Sequence, residues 1–519
     1  MRKPDLTEMP ASETGALSRG EERFNVLRQR AGFVAAPLVF LALWFAPLSG
    51  LEANPHAQPL LAVLGLVVAL WVTEAIPLAI TALLGPALCV VMGIGSTKDI
   101  FKSFADPIIF LFIGSFLLAE AIYHHGLNRR IAFRILSLPG VGDNPSRLLL
   151  AFGAITYLLS MWISNTTTTA MMLPVGVSIL SEMARRKSEQ AGREVHYTEL
   201  KFGTGLLLMT AFAASIGGFA TPVGTAPNLI GIGVIEGRTG IQIPFFKWMM
   251  FGLPLSLALV IFLMVYLKRM FPAEPGLLRG NAAWLATERS RLGPLSRGEI
   301  NVLVAFVLTV GLWILPGFVA VAAGTDSPAY KWLSARLPES IVALLGAALL
   351  FFLPVNLSER RFTLAWAQAK RIDWGTILLF GGGITLGELM FTTGLASWIG
   401  NSLVQVTEAR TTFTLVLLFA GLGLAVTETA SNTASASMLV PVAIAVAQSA
   451  GVNPLQPALA ACLGATLGCM LPVSTPPNAI VYGSGCVPLP QMIKNGFALN
   501  VFGLVAIVSL VMLLIPRLF

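Results

Sequence analysis

Charge is what this sequence has least of. Only 12% of its 519 residues are Asp, Glu, Lys or Arg, roughly half the share of an average soluble domain. That excludes an ordinary soluble globular fold for most of the chain. Cysteine is also scarce. Cys89, Cys462, Cys469 and Cys486 have no CxxC or metal-ligand spacing and lie in or beside apolar segments. A zinc module or disulfide scaffold is therefore excluded, and the four read as small buried hydrophobes. An HExxH motif, a Ser–His pair within the membrane and a pair of catalytic aspartates are all missing, so intramembrane enzyme chemistry has no residues to use. The first thirty residues (MRKPDLTEMPASETGALSRGEERFNVLRQR) hold no short apolar core with a cleavage site, and no signal peptide is expected.

What is present is apolar length. Hydrophobic residues make up 55% of the chain, and its mean hydropathy is +0.77. Runs long enough to cross a bilayer recur almost throughout. They are continuously apolar and not alternating, which selects helices over a transmembrane β-barrel. The expected fold is an all-α polytopic membrane protein of about 11 transmembrane helices plus two re-entrant hairpins. The expected spans are 31–48, 57–75, 76–96, 105–123, 202–235, 246–267, 301–323, 338–354, 374–398, 455–483 and 496–516. The stretches 146–185 and 411–449 each hold two apolar arms around the triplet Ser-Asn-Thr. Each returns to a polar segment like the one it left, as a re-entrant hairpin does. Non-helical backbone at membrane depth survives only where protein or a water-filled cavity surrounds it.

The basic residues test this threading. With the N-terminus in the cytoplasm, 26 of the 34 Lys and Arg residues fall on cytoplasmic segments and 8 outside. This is a positive-inside bias, so the net charge of +8 needs no nucleic-acid partner. The C-terminus then lies outside, and the expected membrane is a cell (inner) membrane. His124 and His125 fall in a cytoplasmic segment and read as solvated.

The two halves repeat. SNTTTTAMMLPVGVSI begins at Ser164 and SNTASASMLVPVAIAV at Ser431, with Pro174 and Pro441 ten residues on. GGFATPVGTAPNLI (217–230) echoes GCMLPVSTPPNAIV (468–481), aligning Asn228 with Asn478. The copies enter from opposite sides, and inverted repeats with interrupted helices mark secondary transporters whose site lies near the midplane. Segments 202–235 and 455–483 are the interrupted helices, because Gly, Thr and Pro cluster at their centres.

Ser, Asn and Thr favour helix N-caps. Helices are expected to start behind each triplet, at Thr167 and Ala434. A helix N-terminus carries roughly half a positive charge and unpaired N–H groups, which suit a carboxylate. Side-chain oxygens and freed carbonyls beside it suit a hard monovalent cation. A single triplet would read as a plain helix cap. Two, each paired with a Gly/Thr/Pro-rich break, point to a binding site. Asn165-Thr166-Thr167 also fits a glycosylation sequon, but its depth argues against that. The motifs hold no Lys or Arg, so anion binding would depend on a bound cation, and by reciprocity the converse. Of the acids near spans (Glu74, Asp106, Glu120, Asp373, Glu388, Glu428), most read as caps or loop partners. Glu428, three residues before the second triplet, is balanced between tuning a cation site and local pairing.

The paired triplets with TPVGTAPN and STPPN resemble the divalent anion–sodium symporter family, the INDY-type group of sodium-coupled dicarboxylate, citrate and sulfate transporters. WVTEAIPLAITALLGP (71–86), DPIIFLFIGSFLLAEAI (106–122) and DWGTILLFGGGITLGELMFTTGLA (373–396) are similar to it as well, and the resemblance runs from about residue 30 to the end. It implies a homodimer in which a transport domain moves as an elevator against a scaffold. The implied layout is a cytoplasmic extension (1–30), scaffold helices (31–145) and first-repeat transport elements (146–267). A cytoplasmic loop (268–300), second-repeat scaffold helices (301–398) and second-repeat transport elements (399–519) follow. Sodium would meet Ser160, Ser164, Asn165 and Gly224 at one site, and Thr427, Ala430, Asn432 and Ser474 at the other. Ala430 could offer only its carbonyl, and Ser474 stands where a smaller residue is common. Substrate carboxylates would meet Asn165, Thr166, Asn432 and Thr433, with Thr225, Thr475 and Pro476 nearby. The implied activity is Na⁺-coupled symport of C4-dicarboxylates such as succinate, fumarate and malate, with no organic cofactor. Citrate or sulfate symport and sodium-independent dicarboxylate exchange are the alternatives, though an exchanger would be expected to place basic side chains where these positions have none. A channel suits the occluding hairpins less well than alternating access.

Overall fold

The computed structural model describes residues 19–51, 54–272 and 281–519. The chain before residue 19 and the middle of the 268–300 loop lie outside the described residues. Among those described there are 23 α-helices and one two-stranded sheet. In chain order the helices are α1 (Arg19–Phe45), α2 (Ala57–Thr73), α3 (Leu78–Val91), α4 (Thr97–Phe101), α5 (Pro107–His124), α6 (Leu127–Leu136), α7 (Pro145–Ser160) and α8 (Asn165–Ala191). Next come α9 (Lys201–Gly217), α10 (Ala226–Thr239), α11 (Phe245–Met270), α12 (Asn281–Arg291), α13 (Arg297–Ala323), α14 (Pro328–Arg336) and α15 (Glu339–Phe352). Strands β1 (Pro354–Asn356) and β2 (Arg361–Phe362) form an antiparallel hairpin. The chain finishes with α16 (Trp366–Ala369), α17 (Trp374–Thr392), α18 (Leu395–Thr407), α19 (Thr412–Thr427), α20 (Asn432–Ser449), α21 (Leu455–Thr466), α22 (Pro476–Gly483) and α23 (Leu489–Leu518).

Six helices are long and apolar enough to cross a bilayer alone: the Val26–Phe45 part of α1, α5, α11, α13, α17 and α23. Two bent pairs, α14 with α15 (59°) and α18 with α19 (101°), raise that to eight. Five further apolar helices are shorter (α2, α3, α7, α9 and α21), and two of them, α9 and α21, end where an expected span breaks. Both expected hairpins are present, as α7–α8 and α19–α20, and both interrupted segments are broken, as α9/α10 and α21/α22. The helices behind the triplets start two residues earlier than expected, at Asn165 and Asn432. The serines, not the whole triplets, take the N-cap position, and Ser164 Oγ accepts from the Thr167 amide at 3.2 Å.

α6, α14 and most of α18 have no counterpart among the expected apolar runs, nor do the short helices α4 and α16. α6 carries Arg129, Arg130 and Arg134 beside buried Leu127, Phe133 and Leu136. Such a helix has a periodic apolar face, not a continuous run. α18 also runs through the expected boundary at 398/399. The 268–300 loop does hold the surface helix expected of it, α12.

The repeats are interleaved. α10 of the first packs on α20 and α21 of the second, and α22 of the second packs on α8 and α9 of the first. This brings the two breaks together. The central helices are the driest part of the molecule: in α9 every residue from Phe202 to Gly217 is buried, and in α21 every residue but Gln456.

Candidate functional site

Both triplets line one cavity of about 710 Å³. All seven expected substrate contacts lie on its wall: Asn165, Thr166, Thr225, Asn432, Thr433, Thr475 and Pro476. Of the expected cation ligands, Ser164, Asn165, Gly224, Asn432 and Ser474 line it too. Ser160, Thr427 and Ala430 are buried and do not line it. Ser160 and Thr427 stand directly behind the wall, each bonded to the asparagine that does.

The local reasons are in the sequence. Pro lacks an N–H and suits the first turn of a helix. Pro227 starts α10, and Pro476 and Pro477 start α22. The chain between each pair of half-helices is therefore open loop with free carbonyls. Asn228 and Asn478 close these loops in the same way. The Asn228 amide donates to Gly218 O (2.7 Å) and Thr221 O (2.9 Å). The Asn478 amide donates to Gly468 O (3.3 Å) and Leu471 O (3.0 Å). Both spacings are ten and seven residues back, and both asparagines are fully buried.

The hairpin tips match as well. Ser160 Oγ donates to Asn165 Oδ1 at 2.7 Å, and Thr427 Oγ1 donates to Asn432 Oδ1 at 2.5 Å. In both cases the hydroxyl lies five residues before the asparagine. Thr427 has a second acceptor, Ala465 O at 2.7 Å. Its one proton can turn there when a cation takes Asn432 Oδ1. Asn432 is held from its other end by donating to Thr466 O at 3.2 Å. In the first half the amide lies against Gly218, where an added Cβ would sit 2.9 Å from Asn165 Oδ1. Each tip thus gathers hydroxyl, amide and main-chain oxygens, a donor set for a hard monovalent ion.

The anion side is more pronounced than the triplets alone indicate. Four helices of the two repeats begin on the cavity wall: α8, α10, α20 and α22. Each end carries partial positive charge. The opening residues of α8 and α20 have no intrahelical acceptor for their N–H groups. In α22 the two prolines remove donors, so that end contributes its dipole and the Thr475 hydroxyl.

Three wall residues were not singled out from sequence as part of this site. Arg28 is the one basic residue among those lining the cavity. Its Nη2 meets Glu74 Oε2 at 2.8 Å, and its Nη1 lies 3.4 Å from Thr429 O at the second tip. Glu74 and Asp373 also line it. Asp373 caps α17, accepting from the Thr376 amide at 3.0 Å, which offsets that helix end. Their distance in sequence from either triplet hid them. Glu428 resolves to a structural partner: its carboxylate accepts from the amides of Cys469, Met470 and Leu471 at 2.9–3.2 Å and from Asn500 Nδ2 at 2.5 Å. Of the other acids read as caps or partners, Asp106 caps α5 and Glu388 pairs with Lys102 at 2.7 Å.

Residues 28–518 match the profile of the family described as the sodium:sulfate symporter transmembrane region. The chain belongs to this family. It is 32% identical over 504 residues to the sodium-dependent dicarboxylate transporter SdcS of Staphylococcus saprophyticus, covering 96% of this chain and 94% of that protein. The SdcS of Staphylococcus aureus strain USA300 is 32% identical over 496 residues, 94% of this chain and 91% of that one. Two solved transporters share the fold at 12% identity: YdaH of Alcanivorax borkumensis (TM-score 0.53, covering 83% of this chain and 88% of that one) and MtrF of Neisseria gonorrhoeae (0.51, 82% and 84%).

Proposed function

We propose that the protein is a secondary transporter that couples inward movement of Na⁺ to uptake of C4-dicarboxylates. The observation that carries this reading is the single cavity onto which four helix N-termini open, with an oxygen-lined tip behind each pair. Two separated positive ends suit an anion with two carboxylates better than a compact one such as sulfate. At the centre of the site there is no Lys or Arg, so the anion is held by helix ends, neutral donors and co-bound cations. Binding either ligand then strengthens the other, and this is the thermodynamic basis of coupling. The names of the SdcS relatives agree with a sodium-dependent dicarboxylate substrate class.

The sodium ligands we assign are Ser160, Ser164, Asn165 and Gly224, and Thr427, Ala430, Asn432 and Ser474. We further assign the hairpins and broken helices to a transport domain that moves as an elevator in a homodimer. The N-terminus is cytoplasmic and the C-terminus outside. In that orientation Arg28, Glu74 and Asp373 place the cavity mouth on the cytoplasmic side, an inward-open arrangement. The test is uptake of labelled succinate into proteoliposomes with and without a Na⁺ gradient, competed by citrate, sulfate and glutamate. Na⁺-driven succinate uptake that excess citrate, sulfate and glutamate leave largely unchanged is expected. Uptake indifferent to Na⁺ but dependent on internal dicarboxylate would make the protein an exchanger.

A further inference from the structure

A second polar recess, of about 530 Å³, shares no lining residue with the transport cavity. His124, His125, Arg360, Arg361 and Gln368 line it together with Phe351 and Phe362, and no acidic residue does. We propose that this recess binds the phosphate of an anionic phospholipid.

Its groups are held in place. The β1–β2 turn is pinned by Asn356 Oδ1, which accepts from the amides of Ser358 (3.1 Å) and Glu359 (3.3 Å). Arg360 sits in the left-handed region at φ 52°. Its guanidinium makes no ion pair among the described residues. Arg361 pairs only with Glu359, at 3.1 Å between exposed side chains, a contact that contributes little. Of the two imidazoles expected to be solvated, His124 is exposed and His125 half-buried, and both are tethered. His125 Nε2 donates to Thr363 O at 2.6 Å. Gln368 Oε1 accepts from the Ala365 amide at 2.7 Å, so the nitrogen of its side chain faces His124 Nε2, also at 2.7 Å. That ring nitrogen accepts, which leaves the proton of neutral His124 on Nδ1. Two planar guanidiniums with the Nδ1–H of His124 form a donor set for a phosphate group, while His125, its one N–H given to Thr363 O, holds the hairpin in place.

The location selects a lipid as the source of that phosphate. The recess lies where two apolar helices end, α5 at His124 and α15 at Phe352. These helices pack against each other. Around it the large apolar side chains point outward: Phe352 is 76% exposed, Trp366 70% and Leu357 69%. Aromatic and long apolar groups interleaved with Arg are the composition of a bilayer interface. Basic recesses between helices at that level take anionic headgroups. A free anion would use the recess but not the apolar rim, whereas a lipid uses both. From β2 the chain runs through α16 to Asp373 on the wall of the transport cavity, so an occupied recess steadies a segment that the transport site uses.

The experiment measures melting temperature and lipid retention of the purified protein in detergent with phosphatidylglycerol, phosphatidylcholine or inorganic phosphate. The proteins are the wild type, Arg360→Gln/Arg361→Gln and Trp366→Ala. Phosphatidylglycerol should stabilise the wild type and be retained by it, while the other two additives should not. The double variant should elute and melt like the wild type without lipid, because glutamine keeps the same backbone strain at 360. Its apparent affinity for phosphatidylglycerol should fall about tenfold or more. Trp366→Ala should weaken retention less. Equal stabilisation of the double variant would overturn the site. Inorganic phosphate acting as well as phosphatidylglycerol would make it a free-anion site, and phosphatidylcholine acting equally would reduce it to an apolar rim. If the double variant misfolds, Arg361→Gln alone and Trp366→Ala carry the same comparison.

Discussion

The two half-sites are built to one plan and differ in how they are braced. In the first, main-chain bonds do most of the work after α9: Phe219 and Ala220 donate back to Ile216 and Gly217, Thr221 Oγ1 donates to Met161 O, and Trp248 Nε1 donates to Phe219 O at 3.0 Å. In the second, α21 ends earlier, at Thr466, and the amides of residues 469–471 have no helical acceptor. Glu428 supplies one, and Asn500 reaches it from α23. The position of Glu428 is occupied by Met161 in the first half. A second contrast lies four residues before each clasping asparagine. Gly224 cannot hold a side chain, because a Cβ there would sit 2.6 Å from Gly218 O. Its counterpart Ser474 has room, and its hydroxyl donates to Leu471 O (2.7 Å) and accepts from Asn478 Nδ2 (3.1 Å). The first half is thus tight at Gly224 and takes one side-chain brace, Trp248 of α11. The second is wider at that position and leans on two, Glu428 and Asn500.

The part the halves share should be the most sensitive. Asn165→Ala and Asn432→Ala each remove the one amide that meets both the tip hydroxyl and the cavity. Each should abolish Na⁺-coupled uptake while the purified protein elutes as the folded wild type does. Normal transport by either variant would break the equivalence of the halves and the site with it.

How much of this was legible in the sequence follows from what kind of signal each feature leaves. The triplets and the Pro-Asn pairs are local, and they located both hairpins, both breaks and every expected substrate contact on the cavity wall. The broken spans were visible because Gly and Pro cannot continue a helix at those points. Amphipathic α6 and α18 were not visible, because a search for continuous apolar runs passes over a helix with one apolar face, and α14, which buries no residue, leaves no such run either. Arg28 and Asn500 left no local signal. Their roles arise from contacts spanning 401 and 72 residues respectively, which only the packing of α1 and α23 creates.

The position pair 224/474 gives the next largest effect and the clearest asymmetry. Gly224→Ser must displace the Gly218 backbone and should cost nearly all transport, with a loss of stability of about 1–3 kcal/mol, typical of overpacking. Ser474→Gly removes two hydrogen bonds worth about 1 kcal/mol each and should leave transport measurable, with a changed preference between Na⁺ and Li⁺. Similar losses in both variants, in uptake and in melting temperature, would show that the second loop is as tight as the first.

Glu428→Gln tests the external brace. The amide keeps the size but offers one acceptor where the carboxylate serves three main-chain amides and Asn500. Because only the second half-site depends on it, the apparent Na⁺ affinity should fall about tenfold, equivalent to ~1.4 kcal/mol, and the Na⁺ dependence should become less steep. The neighbouring Asn500→Ala should add little to Glu428→Gln, since residues of one hydrogen-bond network are not additive. A Glu428→Gln protein with wild-type Na⁺ dependence would make this carboxylate a helix-packing residue with no bearing on the ion.

The smallest effect belongs to Arg28, which touches only the second tip. Its pair with Glu74 is partly exposed, at 13% and 34% for the two side chains, and such pairs contribute about 0–1 kcal/mol. Arg28→Gln should therefore change the KM for succinate by no more than about fivefold, with the Na⁺ dependence intact. Glu74→Gln should act similarly, and the double variant should be no worse than either single one, because the two residues serve each other. The contact to Thr429 O at 3.4 Å is long for a hydrogen bond and should add little. If Arg28→Gln instead silenced uptake as Asn432→Ala does, the second half-site would be incomplete without a side chain from α1. The resemblance between the halves would then end at the hairpin tips.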